Sequence, residues 1–313
     1  MVVPIRNVAL LGATGTLGTH IREALVKAGY AVTAIQRKSS GKAAPPGVRS
    51  IKVDLSNQDE LISAFAGQDA VVSAVPNPAL RTERIVIDAA IASSVKRFIP
   101  SEYSTNLETP LSRKLPIAKE KVQIREYLHS AIASSGSSLT WTSVNNGPFF
   151  EMCLEGGVLG PNIKKKKAVF HNGGDNVIGP STLPDIAAAI VKIIDPAHLD
   201  ETANQPVYIY SAAISERQLT RLAAEVTGIN FGDVEGGRIA DLDVDRMVKD
   251  AEDKFARGDN SGWFSYFFQM MYGKGYGGTE FRDLAWNNRL GLRVMDEADL
   301  RQLIQRIAKR SSR

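Results

Sequence analysis

Three glycines at three-residue spacing follow an apolar run in Val8-Ala-Leu-Leu-Gly12-Ala-Thr-Gly15-Thr-Leu-Gly18. Between a buried strand and a helix, that spacing has a definite chemistry. Gly12 permits the tight turn, Gly15 lets the backbone approach a pyrophosphate at the positive helix end, and Gly18 lets the helix lie close to the sheet. Thr14 and Thr16 add hydroxyl donors for phosphate, and Leu17 completes the turn. A bound dinucleotide is the expectation. The second strand then chooses which one. An NAD site places Asp or Glu at its end for the ribose 2′-hydroxyl. Here the strand ends Ile35-Gln36-Arg37-Lys38, and no acid occurs from Ala31 through Ser50. Arg37 offers a planar fork for a 2′-phosphate and Lys38 a second positive charge, so the expected cofactor is NADP(H). Asp54 and Leu55, after the third strand, fall where the adenine should lie. Ala74, Val75 and Pro76, after the fourth, fall beneath the nicotinamide ribose, because ligands bind outside the carboxyl ends of the strands.

Other chemistries find little support. None of the eight tyrosines has Lys four residues on, so the ordinary Tyr/Lys dyad of short-chain dehydrogenases is absent. His20, His129, His171 and His198 lack metal-ligand spacing and read as surface or satisfied polar groups, so no metal is expected. No nucleophile-elbow motif occurs. The single cysteine, Cys153, sits among Phe149, Phe150, Met152 and Leu154 and reads as a buried filler.

These residues need a scaffold to position them. Short β-branched runs (Val8–Leu11, Ala31–Gln36, Arg49–Val53, Ala70–Ala74, Arg97–Ile99, Leu139–Val144) alternate with helical patterns over Gly15–Ala28, Gln58–Ala66, Arg81–Ser93 and Ala118–Ser134. That rhythm predicts an α/β fold, a Rossmann doubly wound parallel sheet over residues 1–150. Beyond Gly156 and Gly157 the pattern changes to a mixed α/β substrate lobe, 151–313, partly interwoven with the first. Its expected elements are strands Ala168–His171 and Pro206–Tyr210 and helices Leu183–Ile194, Ser215–Thr227 and Asp296–Lys309. Within it, residues 261–281 crowd aromatics, methionines and glycines together. The stretch reads either as a helix set into the core or as a mobile apolar lid over a substrate pocket. The chain has 313 residues, 43 % of them hydrophobic, and a formal net charge of +4, which points neither to disorder nor to nucleic acid. With one cysteine, no apolar run of spanning length and little sequence before the first strand, a reduced cytoplasmic setting is expected, with no membrane partner.

Several segments together resemble the NmrA-like and isoflavone-reductase-like group of atypical short-chain dehydrogenases. They are Gly12-Ala-Thr-Gly-Thr-Leu-Gly18, the Arg37-Lys38 pair, Arg97-Phe-Ile-Pro-Ser-Glu-Tyr103, Lys119-Glu-Lys-Val122, Thr142-Ser-Val-Asn-Asn-Gly-Pro-Phe-Phe-Glu151 and Gly173-Gly-Asp with Pro184-Asp-Ile-Ala187. The resemblance implies an NADPH-dependent reductase of aromatic or polyketide-like secondary metabolites. It places a lysine matching Lys119 beside the nicotinamide as the catalytic residue. It also lines the nicotinamide end with the segment holding Asn145, Gly147, Pro148 and Phe149. An ammonium there can hydrogen-bond a substrate oxygen and give it a proton, whereas Lys121 reads as a surface lysine. Expected substrate contacts are Tyr103, Phe150, Trp263, Phe267 and Met271, with Phe264, Phe268 and Tyr272 from the same aromatic stretch. Two other functions fit the fold: an NADP(H)-sensing regulator of a protein partner, which the NmrA-like branch contains, and a non-redox enzyme.

Overall fold

The alternation read in the sequence becomes a parallel sheet. A computed structural model describes residues 4–232, 239–278 and 281–311. Its strands are β1 (Asn7–Leu11), β2 (Ala31–Arg37), β3 (Arg49–Val53), β4 (Ala70–Ser73), β5 (Arg97–Ile99), β6 (Thr140–Asn145), β7 (Pro161–Asn162), β8 (Lys167–His171), β9 (Val177–Ile178), β10 (Gln205–Tyr208), β11 (Ile214–Ser215) and β12 (Ala240–Leu242). Its helices are α1 (Thr16–Lys27), α2 (Gln58–Phe65), α3 (Glu83–Ala92), α4 (Pro110–Lys114), α5 (Lys119–Ser135), α6 (Phe150–Gly156), α7 (Leu183–Ile193), α8 (Glu216–Thr227), α9 (Val244–Ala256), α10 (Ser265–Tyr272), α11 (Asn287–Leu290) and α12 (Glu297–Ser311).

The central sheet has the order β10-β6-β5-β4-β1-β2-β3, and the pairs from β1 through β6 run parallel. Such a sheet must be covered on both faces, which is why β1 and β4 read as unbroken apolar runs. Helices do this, with α1 against α7 on the one hand and α2, α3 and α5 in sequence on the other. Leu17, Ile21 and Leu25 form the buried stripe of α1 at helical spacing. The core beneath α2, α3 and α5 gathers Leu61, Phe65, Val86, Ile87, Ile124 and Leu128 around Leu11, Val71 and Phe98. Strand order reverses between β1 and β4. A doubly wound sheet opens its ligand crevice at that switch point, outside the carboxyl ends of the strands. At the other end, Arg97 is 1 % exposed and ties β5 to β6, donating to the Thr140 and Thr142 hydroxyls, the Thr202 hydroxyl and the Leu199 carbonyl.

The chain divides into two compact units that interleave along the sequence, where the sequence reading set a boundary at residue 150 and expected partial interweaving. One comprises Met1–Tyr103, Lys119–Asn145 and Leu183–Val207, and the other Ser104–Ala118, Asn146–Thr182 and Tyr208–Arg313. The reason is topological. After Thr182 the chain returns to supply α7 and the sheet-edge strand β10 to the first unit. The second unit has its own core, in which Phe150, Leu154, Ile178, Leu219, Met271 and Ile304 are buried together.

Candidate functional site

In the first unit the glycine turn adopts the geometry the sequence demands. Gly12 has φ +77°, and a Cβ there would lie 2.2 Å from the Ala74 carbonyl oxygen. A Cβ on Gly18 would lie 2.0 Å from the Gly12 carbonyl oxygen, so the helix sits as close to the turn as only glycine allows. Gly15 is the N-cap of α1, and its amide donates to the Gly12 carbonyl at 2.8 Å. Past it, the first-turn amides of α1, from Thr16 onward, point outward with no intrahelical acceptor, as at any helix start. Ala74, Val75 and Pro76 leave β4 across the switch point from this turn, and the Ala74 backbone lies directly against Gly12.

The two cations behind β2 differ in what they do. Arg37 is exposed at the strand end and its guanidinium has no partner among the described residues. Lys38 is already engaged, its Nζ 2.5 Å from Glu60 Oε1. That carboxylate also accepts the Asp54 amide at 2.9 Å, and the Lys38 contact holds it below the usual carboxylate range. Lys42, which the sequence reading passed over, is turned back to the glycine loop and donates to the Thr14 carbonyl at 2.9 Å. Asp54 accepts the Ser56 hydroxyl and amide, at 2.6 and 2.9 Å, which keeps it ionised to lower pH than usual. Leu55 is buried beside it.

A second cluster lies at the carboxyl ends of β4 and β5. Glu83, the first residue of α3, is 1 % exposed, and its Oε1 accepts the Ser101 amide at 2.8 Å. Its Oε2 makes no hydrogen bond. The Ser73 hydroxyl lies against the same carboxyl without reaching hydrogen-bond geometry. Burial pushes Glu83 up to about 7, against the opposing pull of the Ser101 amide. Tyr103 holds a positive φ of +32° and donates its hydroxyl to the Ser73 carbonyl at 2.9 Å. Burial and the nearby Glu83 push its phenol far above the ordinary value, so it stays a neutral donor. Glu102 is 3 % exposed and paired with Arg125, whose Nε lies 2.9 Å away and whose NH2 contacts the other oxygen. Arg125 also donates to the Ser143 hydroxyl at 2.9 Å.

Helix phase gives the two lysines different surroundings. Lys119 stands exposed at the first residue of α5. Lys121 is half-buried and lies one turn before Arg125, on the face that carries Ile124 and Leu128. Burial pushes its ammonium below the ordinary lysine value, while Glu102 and Glu83, both facing it, pull the other way. The reading of Lys121 as a surface lysine is thus corrected. A face that buries Arg125 at position i+4 carries Lys121 with it.

Asn145 ends β6 fully buried, with its amide 3.4 Å from the Ser143 hydroxyl. Gly147, in the second unit, has φ +62°, and a Cβ there would lie 2.1 Å from the Gly179 carbonyl oxygen. Pro148 and Phe149 continue as an extended segment, with a bridge from Phe149 to Ser181 and the Pro148 carbonyl accepting the Ser181 amide at 2.9 Å. Next to Gly147, the Asn146 Oδ1 is buried without a hydrogen bond. The aromatic stretch forms α10. Met271 and Phe150 are 1 % and 0 % exposed inside the second unit's core, whereas Trp263 and Phe264 are 47 % and 48 % exposed. Phe267 lies between these extremes, stacked on Phe264 at 4.9 Å. After α10, Gly273, Gly277 and Gly278 are buried and the Tyr276 carbonyl accepts the Ser112 hydroxyl at 2.6 Å, while Lys274 and Gly275 between them are exposed. The segment is thus anchored on both sides of an exposed turn. The remainder of the proposed lid, Thr279 and Glu280, lies outside the described residues. His171 is a satisfied core residue, its Nδ1 2.7 Å from Glu216 Oε1 and its ring stacked on Phe268 at 3.9 Å. Cys153 packs against the same core, and burial pushes its thiol up to about 12, which leaves it no nucleophilic character at neutral pH.

Comparison with known proteins agrees with this architecture. The model of the NmrA-like family matches residues 5–226, and the chain belongs to that family. It is 29 % identical over 277 residues to the oxidoreductase aprR of Aspergillus flavus, covering 87 % of this chain and 89 % of that protein. It is 28 % identical over 238 residues to the isoflavone reductase homolog IRL of Zea mays, covering 72 % and 75 %. Among solved structures, AtPrR2 with NADP+ and (+)pinoresinol superposes with a TM-score of 0.74 at 19 % identity, over 98 % of this chain and all of that one. The binary complex of leucoanthocyanidin reductase with NADPH from Vitis vinifera gives 0.70 at 14 % identity, over 98 % and 100 %. These two share the fold.

Proposed function

We propose that this chain is an NADP(H)-dependent reductase of a small apolar, aromatic secondary metabolite, with Lys121 rather than Lys119 as the proton donor. The observation that carries the reading is the pairing, within one unit, of a glycine cradle at the switch point with a half-buried lysine at the same edge of the sheet. The cradle fits a dinucleotide because Gly12 and Gly18 let the turn pack against backbone, while a Cβ at Gly15 would meet only the Gly12 carbonyl oxygen at 3.1 Å, which leaves the start of α1 open to phosphate. Thr14, Gly15, Thr16, Leu17 and Gly18 would hold the pyrophosphate. Arg37 and Lys42 would hold the 2′-phosphate, with Lys38 engaged by Glu60. Asp54 and Leu55 would flank the adenine, and Ala74 to Pro76 the ribose. When bound, NADPH supplies the reducing equivalent.

The chain's own part is acid catalysis and enclosure. Lys121 Nζ gives its proton to the substrate oxygen, which leaves that oxygen as a hydroxyl and Lys121 as a neutral amine. Burial lowers the cost of that transfer, since a desolvated ammonium is a stronger acid than one in water. Tyr103 stays neutral and holds Ser73 in place. In the first unit Asn145 would face the nicotinamide; in the second, Trp263 and Phe264 are the exposed aromatic faces, with Phe267 half-buried beside Phe264, once Phe150 and Met271 are committed to the core. The aromatic substrate class is supported by the names of the maize relative and of the AtPrR2 complex. No helix among the described residues is long and apolar enough to cross a membrane.

The test is nicotinamide absorbance during incubation with aromatic ketones, enones and benzylic ethers. NADPH consumption with at least one of them supports the reading. No turnover, together with NADP(H)-dependent association with a protein, would favour the sensor.

A further inference from the structure

Lys121 faces two carboxyl groups, and they are not equivalent. Glu102 is bound by Arg125 through both oxygens, so its charge is already offset. Glu83 forms no ion pair among the described residues, accepts one backbone amide, and leaves Oε2 buried and without a hydrogen bond. The groups that face Glu83 come from three neighbours. Ser73 is on β4, Ser101, Glu102 and Tyr103 follow β5, and Lys121 is on α5. The charged residues next along α3 are engaged elsewhere, Arg84 over the Tyr127 ring and Asp88 with the Tyr127 hydroxyl. Ser101, which donates to Glu83, precedes Glu102, which pairs with Arg125 one turn beyond Lys121, so the orphaned carboxyl oxygen and the half-buried lysine belong to one cluster and can titrate as a coupled pair.

We propose that Glu83 is the positioning residue for Lys121: its carboxyl is the counter-charge that holds Lys121 as an ammonium ion between turnovers. This rests on reading Lys121 as the proton donor. A half-buried lysine with no counter-charge gives up its proton to water and has none for the substrate. Glu102 cannot serve alone, because Arg125 on the same helix face takes it first. Glu83 stays protonated up to about 7 and ionises above that, where Lys121 most needs a carboxylate. The two groups then titrate as a coupled pair. Loss of one must move the other.

The experiment follows trace acetylation of Lys121 against pH by mass spectrometry in the cofactor-free protein, wild type against Glu83→Gln. The amide keeps the side chain's shape and its acceptor for Ser101. The midpoint of Lys121 labelling should fall by about 1–3 pH units, the usual effect of removing a nearby opposite charge. An unchanged midpoint in the folded variant overturns the proposal. Should Glu83→Gln fail to fold, the reciprocal measurement stands in. In Lys121→Met, the Glu83 carboxyl, followed by its 13C shift, should titrate above the wild-type midpoint of about 7, and an unmoved midpoint overturns the coupling equally. Turnover separates the two claims. Full turnover in Lys121→Met would remove the proton-donor reading while leaving any measured coupling intact.

Discussion

Replacing Gly12 with alanine should destabilise the protein through two terms that the geometry separates. The backbone sits at φ +77°, where an L side chain costs about 1–2 kcal/mol. The new Cβ would then stand 2.2 Å from the Ala74 carbonyl oxygen and 2.7 Å from its carbon, and both are backbone atoms of the neighbouring strand's exit. A clash of that kind adds roughly 1–3 kcal/mol. The sum, about 2–5 kcal/mol, is a large fraction of the ~5–15 kcal/mol that holds a typical domain folded. Gly15→Ala is the control. Its φ is an ordinary −82° and its nearest neighbour would be 3.1 Å away, so stability should fall by less than about 1 kcal/mol. The same methyl would project where a pyrophosphate must approach, so NADPH binding should weaken at least ~10-fold. Urea denaturation gives the stability and a fluorescence titration the affinity, on the same preparations. Gly12→Ala as stable as wild type would refute the packing argument, and Gly15→Ala binding NADPH normally would refute the cradle.

Arg37→Ala should remove most of a preference for NADPH over NADH of at least ~10-fold, since a charge-assisted contact is worth ~1.5–3 kcal/mol. Lys42→Ala should remove part of it and Lys38→Ala little, and parallel titrations with both cofactors read all three. Arg125→Met should cost about 3–5 kcal/mol, because Glu102 would be left charged, buried and unpaired, and denaturant midpoints at neutral pH check this. Glu83 gives a pH dependence of defined sign. Its folded-state value of about 7 lies above the ordinary 4.5, so its contribution is present in full below 4.5 and is lost as pH rises through about 7. Relative to Glu83→Gln, wild-type stability should fall by roughly 3 kcal/mol across that window. A flat difference would mean that Glu83 is solvated in the folded protein.

Local signals carried much of this structure. The apolar runs of β1 to β6 and the glycine turn were legible because strand burial and tight turns act on neighbours in the chain. The engagement of Lys38 was not, because its partner Glu60 comes from a helix 22 residues on. Lys42 was missed for the same reason, since its contact to Thr14 spans 28 residues through the fold. The inward turn of Lys121 had a signal that was available. Ile124, Arg125 and Leu128 follow it at helical spacing and mark the buried face of α5, whereas Gln123 and Glu126 share the exposed side with Lys119. The aromatic stretch was ambiguous by composition alone. Only packing distinguishes Met271, closed in the core, from Phe264, open to solvent.

The proton-donor role of Lys121 is read by comparing Lys119→Met and Lys121→Met in NADPH oxidation with whichever aromatic substrate the wild type reduces, alongside NADPH affinity for each. Lys121→Met should lower turnover by ~10²–10⁴, the contribution of a positioned acid, while cofactor affinity changes by no more than about 1–2 kcal/mol. Lys119→Met, altering a residue exposed at the helix start, should stay within a few-fold of wild type. Loss of turnover in Lys119→Met with full activity in Lys121→Met would make Lys119 the donor instead.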